Sequence, residues 1–339
     1  MRVQRPIDPA ILGFIRSQPE AVRQAARAAA ELRAPGPGSA ARTLLALGCG
    51  TSYHAAALAR SAGAAAAAPR VRAMAAYEAW QHEGEVADVD WVLAVSHSGA
   101  TDATLGAIET VRRRTGAPVL AITCHRQSRL AQAADEVLVV PAADETVGPK
   151  TKGFTASAAA LLTAVGIAGG ARDAVEAAER AALAMERVLA APPDAFASLV
   201  RRSAEARQLW LLGAGPLQAV AREGALKIVE MAGLPARAIE QEEFIHGWRR
   251  GTGPDHLVVA LAPAGADTPR LAQVGEMCAA QGARLAVVQA AGAPGLAGVD
   301  LRLELPLDTA PDAWQALPYA LPIQILAYTL AAPDGGGWA

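Results

Sequence analysis

Aromatic residues are scarce: Phe, Trp and Tyr together make up 4% of the 339 residues. A core built on aromatic clusters is therefore not expected. Alanine and other small residues carry much of the 52% apolar content, which suits closely packed helices and strands and excludes disorder as the main state. A charge excess is missing too. The net charge of −2 lacks the basic surplus of a nucleic-acid protein and the polybasic run of a membrane anchor, so neither partner is expected. Cysteine is rare. Cys49, Cys124 and Cys278 are far apart and odd in number, so they form neither a disulfide framework nor a CxxC metal site and point to a reducing cytoplasm. The opening MRVQRPIDPAILGFIRSQPE has charges and prolines where a signal peptide needs an apolar stretch. The uncharged segment 153–171 is short for a membrane span and rich in Ala, Thr, Ser and Gly, so it reads as a buried or interface helix.

At roughly 150 residues per domain the chain holds about two, and it repeats itself. LLALGCGTSYHAAALA (44–59) lies over LWLLGAGPLQAVAREG (209–224), each an apolar strand, a Gly-x-Gly turn and a helix. The apolar runs at 92–95, 118–123 and 138–141 recur at 258–261, 284–289 and 303–306. Near-continuous apolar strands mark parallel sheets covered on both faces. Helical stretches such as 103–116 and 269–282 fall between them. The pattern predicts an α/β fold of two doubly wound parallel-sheet domains related by the repeat. The expected divisions are a helical arm at 1–40, a first domain at 41–171, a linker helix at 172–194 and a second domain at 195–339. APGPGS (34–39) closes the arm, and the tail PDGGGWA (333–339) is expected to be loose.

Chemistry concentrates at strand ends. After the strand at 92–95 comes Ser96-His97-Ser98-Gly99-Ala100-Thr101, with a helix starting near Asp102. Free helix N–H groups, the positive end of the helix dipole and the hydroxyls of Ser96, Ser98 and Thr101 suit a phosphate. An ordinary turn with Ser or Thr capping the helix is the other reading. Thr51 and Ser52 follow a second strand-end turn in the same domain, so the two loops are expected to converge on a ligand. The second copy has ALAPAG (260–265) in place of SHSGAT. A dinucleotide reading fails, because Tyr53 stands at the third glycine of the fingerprint and residues 69–72 offer no acid. In the second domain Glu223, Lys227 and Glu230 fall at i, i+4 and i+7 on one helix face. The apolar flanks predict a buried helix and hence an acid of raised pKa that acts as a base; a surface ion-pair ladder is the other reading. EQEEFIHGW (240–248) places His246 after a run of acids and before a glycine, as in a loop.

Six segments in order carry a resemblance: CGTSYHA (49–55), SHSGAT (96–101), ETVGPKTKGFT (145–155), EGALKIVE (223–230), EEFIHG (242–247) and ALPYALPIQILAYTLA (316–331). SQPEAVR (17–23) precedes them. Together they resemble the SIS-domain phosphosugar isomerases, most closely the isomerase half of glucosamine-6-phosphate synthase and its stand-alone relatives. The resemblance implies tandem flavodoxin-like SIS domains. It implies that Thr51, Ser52, Ser96, Ser98 and Thr101 hold a sugar phosphate, with His97 contributing mainly backbone. Gly148, Pro149 and Lys150 would close over the sugar hydroxyls. Glu230 matches the base that moves a proton between C1 and C2, and Lys227 and Glu223 match residues that position it. His246 matches a ring-opening histidine that reaches the partner subunit's active site, which implies a homodimer with shared sites and makes the helix at 155–171 an interface element. No metal or cofactor is implied.

Departures narrow the expectation. The sequence contains no glutaminase half, and no lysine follows Tyr328, so glucosamine-6-phosphate synthesis from glutamine is not expected. His97 and Ala100 stand where the family has Gln and Glu. Trp248 replaces a proline, and Arg249 and Arg250 follow it, either recognising an acidic or differently substituted sugar or lying on a solvated surface. The sequence thus points to a stand-alone cytoplasmic isomerase, deaminase or deglycase of an amino- or ketose-sugar 6-phosphate. The alternative is a non-catalytic sugar-phosphate sensor.

Overall fold

The computed structural model describes residues 7–32, 42–64, 69–142, 144–262, 268–293, 298–307, 313–332 and 337–338. The chain forms two compact units: Ser17–Ala182, the N-terminal unit, and Met1–Arg16 with Leu183–Ala339, the C-terminal unit. Helix α1 (Ala10–Arg16) packs against the last helix of the C-terminal unit. The arm is therefore divided between the units, and its closing segment 34–39 lies outside the described residues.

The N-terminal unit runs α2 (Gln18–Ala30), β1 (Thr43–Gly48), α3 (Thr51–Ala59), β2 (Arg70–Ala75), α4 (Ala76–Gln81), β3 (Trp91–Val95), α5 (Asp102–Thr115), β4 (Val119–Thr123), α6 (Arg129–Ala133), β5 (Glu136–Val139) and α7 (Lys152–Ala168). Its five parallel strands take the order β2-β1-β3-β4-β5. Strands β3 and β4 are buried at every residue, as continuous apolar runs require in a sheet with helices on both faces. One face packs Leu45, Leu47, Val92 and Ala94 against Leu105, Ile108 and Val111 of α5. Helix α7 packs against α2 and α3 and is buried from Lys152 through Val165. The expectation that this uncharged helix is an interface element is thus overturned: its alanine-rich surface is already covered inside its own unit. Among the described residues no helix is long and apolar enough to cross a membrane.

Helix α8 (Ala174–Ala190), the expected linker helix, leads into the C-terminal unit. There follow α9 (Phe196–Glu205), β6 (Gln208–Gly213), α10 (Pro216–Ala232), β7 (Ala236–Glu240), α11 (Gln241–His246), β8 (His256–Ala262), α12 (Thr268–Ala280), β9 (Arg284–Ala290), β10 (Leu301–Leu305) and α13 (Ala320–Ala331). The sheet order is β10-β9-β8-β6-β7, again wholly parallel. Counted from the first strand of each unit, both sheets read 2-1-3-4-5, so the sequence repeat is a repeat of topology. The edge strands β2 and β7 were not anticipated. Arg70, Arg72, Arg237 and Glu240 interrupt their apolar pattern, which an edge tolerates because one side lacks a neighbouring strand.

Two features of the C-terminal unit depart from expectation. Aromatic side chains do cluster: Trp210 lies 6.4 Å from Phe244, 6.3 Å from Trp248 and 6.2 Å from His256, measured between ring centroids. The tail is also not loose at Trp338. Its ring is buried, sits 4.9 Å from Phe196, and donates from Nε1 to the carbonyls of Val188 and Leu189 at 3.2 Å. The remaining tail residues, 333–336 and 339, lie outside the described residues.

Candidate active site

In the N-terminal unit the strand order reverses between β1 and β3. In open α/β sheets the crevice beyond the carboxyl ends of such strands receives ligands. Two loops meet its requirements. After β1, Gly50 takes a positive φ of 52° and α3 begins at Thr51. Gly48 is required, because a Cβ there would lie 2.7 Å from the Ser52 Cβ and 3.0 Å from the Val95 carbonyl. Ser52 is therefore seated against the end of β1, where β1 itself runs close beside Val95 of β3.

The second loop, after β3, is a built turn. Buried Ser96 accepts from the Gly99 N–H at 3.1 Å and shares a hydrogen bond with the Thr101 hydroxyl at 3.0 Å. Ser98 is exposed, and its oxygen accepts from the Ala100 N–H at 3.2 Å. Gly99 has φ 62°, and any Cβ would strike the Ser128 hydroxyl. Thr101 is the N-cap residue of α5, yet its side chain caps nothing, because it turns to Ser96. The capped-turn reading is thereby overturned. The first-turn amides of α5 carry no side-chain cap from Thr101, and an uncapped helix N-terminus favours an anion. Ser96 serves the turn's architecture, while Ser98 and Thr101 lie nearer solvent.

His97 contributes more than backbone. Its carbonyl accepts from the Thr123 hydroxyl at 3.2 Å and the Cys124 N–H at 3.1 Å. Its Nδ1 lies 3.3 Å from Cys124 Sγ and packs over Gly153, where a Cβ would come within 3.0 Å. Burial, then the charges of Lys150, His125 and Lys152, push the imidazole down to about 4. Burial, reinforced by Glu145, pushes the Cys124 thiol up to about 12. A thiol that keeps its proton can donate to Nδ1, which leaves the ring proton on Nε2. His97 is thus a neutral side chain, not a cation, beside the loop.

Glu145 went unrecognised in the sequence beyond its place in a motif. Fully buried, it accepts from Thr151 N at 2.5 Å, the Thr151 hydroxyl at 2.8 Å, Lys152 N at 3.0 Å and Gly153 N at 2.9 Å. One carboxylate so caps α7 and pins the loop carrying Gly148, Pro149 and Lys150. The Gly148–Pro149 bond is cis. Lys150 turns back on this loop, donating to the carbonyls of Glu145 and Val147. Asp144 pairs with Lys152 at 2.5 Å.

In the C-terminal unit α10 starts at Pro216 and stops at Gly233, whose φ is 60°. Lys227 Nζ lies 3.3 Å from Glu223 Oε1 and 2.5 Å from Glu230 Oε2. Glu223 and Lys227 are 1% exposed, but Glu230 is 38% exposed. The expectation of a buried base is corrected here: the buried acid is Glu223, and Glu230 stands at the open end of the row. Burial alone would lower the Lys227 pKa, but Glu223 and Glu230 outweigh it and hold it above the ordinary value. The ammonium therefore fixes the Glu230 carboxylate from beneath.

His246 ends α11 with its side chain 76% exposed, 3.6 Å from Glu242. It is not brought to the Glu223–Lys227–Glu230 row. Phe244 and Ile245 of α11 pack on the sheet face of Trp210 and Leu212, whereas α10 packs at Gly224 against Leu211, on the opposite face. Trp248 is 45% exposed. Arg249 is drawn into the fold, donating to the Ile245 carbonyl at the end of α11, and Arg250 remains exposed.

The SIS domain family matches this chain twice, at residues 39–167 and 204–332. Glutamine–fructose-6-phosphate aminotransferase (isomerizing) of Gluconobacter oxydans is 30% identical over 298 residues, which cover 85% of this chain and 48% of that protein. The chain spans about half the length of the curated relatives it matches. Among solved structures, the C-terminal domain of glucosamine-fructose-6-phosphate aminotransferase from Francisella tularensis superposes with a TM-score of 0.81 at 22% identity, covering 96% of each chain. Tagatose-6-phosphate ketose/aldose isomerase from Escherichia coli gives 0.78 at 21% identity, covering 98% of this chain and 96% of that one. At these identities the structures show a shared fold.

Proposed function

The chain belongs to the SIS-domain family, and on that premise we propose that it is a phosphosugar isomerase or deaminase acting on an amino- or ketose-sugar 6-phosphate. The observation that carries the reading is the uncapped start of α5 behind a turn of hydroxyls at the sheet's switch point. There the phosphate accepts from first-turn amides and from Thr51, Ser52, Ser98 and Thr101, while Ser96 braces the turn and His97 adds a neutral donor. The loop at Gly148–Lys150 serves the sugar hydroxyls. Glu230, positioned by Lys227 and through it by Glu223, takes the proton from the carbon beside the carbonyl and returns it to the neighbouring carbon. His246 opens the ring from the partner subunit of a homodimer, in keeping with α11 and α10 packing on opposite faces of the sheet in one chain. No glutaminase chemistry is assigned to these residues.

The test is proton exchange at C1 and C2, followed by NMR in deuterated water. Fructose 6-phosphate, glucosamine 6-phosphate, galactosamine 6-phosphate and fructosamine 6-phosphate are offered in turn. Exchange is expected with at least one, and release of ammonia then separates deaminase from isomerase. Tight binding without exchange overturns the enzyme reading in favour of a sensor.

A further inference from the structure

His97 ties together three strand and helix ends of the N-terminal unit. Its backbone joins β3 to β4, since its carbonyl accepts from the Thr123 hydroxyl and the Cys124 N–H. Its ring reaches the start of α7. A Cβ at Gly153 would lie 3.0 Å from His97 Nδ1 and 3.1 Å from Glu145 Oε2, so only a glycine leaves the ring its place. The His125 ring stands at 81° to it, 6.2 Å between centroids. Lys150, His125 and Lys152 face the ring, and Glu145 faces Cys124. Burial and the three basic neighbours keep the imidazole neutral, so one of its two nitrogens carries the proton.

Which nitrogen it is follows from the neighbours of Nδ1. The donors around it are engaged elsewhere. The Gly153 N–H goes to Glu145 at 2.9 Å, Lys150 to the carbonyls of Glu145 and Val147, Lys152 to Asp144, and the Thr123 hydroxyl to the His97 carbonyl. What remains is the Cys124 thiol, 3.3 Å from Nδ1. Either S–H donates to Nδ1, or Nδ1–H donates to sulfur. The second arrangement would leave the buried thiol proton with no acceptor among the described residues. At the other edge of the half-buried ring, Nε2 has no hydrogen-bond partner among the described residues. We propose that Cys124 is a positioning residue of the phosphate site: by donating to Nδ1 it holds the His97 ring with its single proton on Nε2, as a neutral donor to a phosphate oxygen. A sugar hydroxyl both donates and accepts and would take either tautomer, whereas an ionised phosphate oxygen takes only the N–H. The ligand in this proposal rests on the sugar-phosphate reading; the tautomer does not.

The experiment uses the full chain, labelled with nitrogen-15 at histidine, beside its Cys124→Ala and Cys124→Ser forms. Long-range nitrogen–proton NMR spectra at neutral pH read the tautomer of His97, whose signals are assigned by their loss in His97→Gln. In the unsubstituted chain Nδ1 is expected to be unprotonated and hydrogen-bonded, with the proton on Nε2. Cys124→Ala should shift the Nδ1 resonance, and Cys124→Ser, which keeps a donor, should return it. Calorimetry with inorganic phosphate and the sugar phosphates of the exchange test should give Kd values about threefold to tenfold weaker for Cys124→Ala, the cost of ordering a freed side chain on binding, and restored for Cys124→Ser. A ring protonated on Nδ1 in the unsubstituted chain overturns the proposal without any variant, and so does an Nδ1 resonance indifferent to Cys124. If the resonance responds but no affinity does, Ser98→Ala separates the causes. Weakening by Ser98→Ala keeps the phosphate site and overturns the role of Cys124; no weakening, or no binding of any of these anions, removes the site itself and the proposal with it.

Discussion

Side chains of one charge type meet different fates according to depth. Glu223 and Glu230 flank the same ammonium, yet only Glu230 reaches solvent. Glu230→Gln keeps the shape and the hydrogen bond from Lys227 but removes the base. Exchange at C1 and C2 should fall by about 10² to 10⁴-fold while sugar-phosphate affinity, read by calorimetry, holds; equal exchange would remove Glu230 from the mechanism. Ser98→Ala should do the reverse, weakening phosphate affinity about tenfold through one lost hydrogen bond to a charged group, and an unchanged Kd would sink the cradle. His97 makes a pH prediction. Its imidazole sits near 4 in the fold, below the ordinary 6.5, so between those values the unfolded chain binds more protons. The stability gained by keeping the ring neutral is full above pH 6.5 and lost as pH falls toward 4. His97→Gln should flatten the decline of the unfolding midpoint across that window; an identical slope would contradict this placement.

At the level of elements, close approach does most of the positioning. Gly224 lets α13 lie against α10, since a Cβ would come within 2.5 Å of Ile323 Cγ2. The row Glu223–Lys227–Glu230 is held on a helix that cannot roll without disturbing that contact. The chain's end is held in the same spirit, by Trp338 docking on Phe196 and on the carbonyls that end α8. Trp338→Ala should cost about 3 kcal/mol, in the range for truncating a buried aromatic, measured by urea unfolding. No loss would show that the tail does not dock in solution.

At the scale of the whole molecule, one topology is used twice and specialised once. Both sheets read 2-1-3-4-5, but the hydroxyl turn belongs to the N-terminal unit and the carboxylate row to the C-terminal one. If His246 serves a partner subunit, then Glu230→Gln and His246→Ala chains, each inactive alone, should regain activity when mixed and allowed to exchange subunits. Absence of recovery, with mixed dimers verified by mass, would confine His246 to its own chain.

Much of this was legible in the sequence. The interior strands are unbroken apolar runs because both their faces and both their edges are covered, and the helix face at Glu223, Lys227 and Glu230 follows from the 3.6-residue turn. The hydroxyl loop was visible because its residues are consecutive and stand at a strand's end. The rest required tertiary structure. The edge strands β2 and β7 carry charges that only a missing neighbour permits. Glu145 looks like any loop acid until four donors close around it. The interface role expected for α7 failed because an uncharged helix signals burial without naming what covers it. Glu230 and Glu223 are the same residue type on the same face, and only packing decides which is sealed and which is open. Local sequence fixes periodicity and turn geometry; depth and partnership depend on residues far along the chain, brought close only when the sheets and helices assemble.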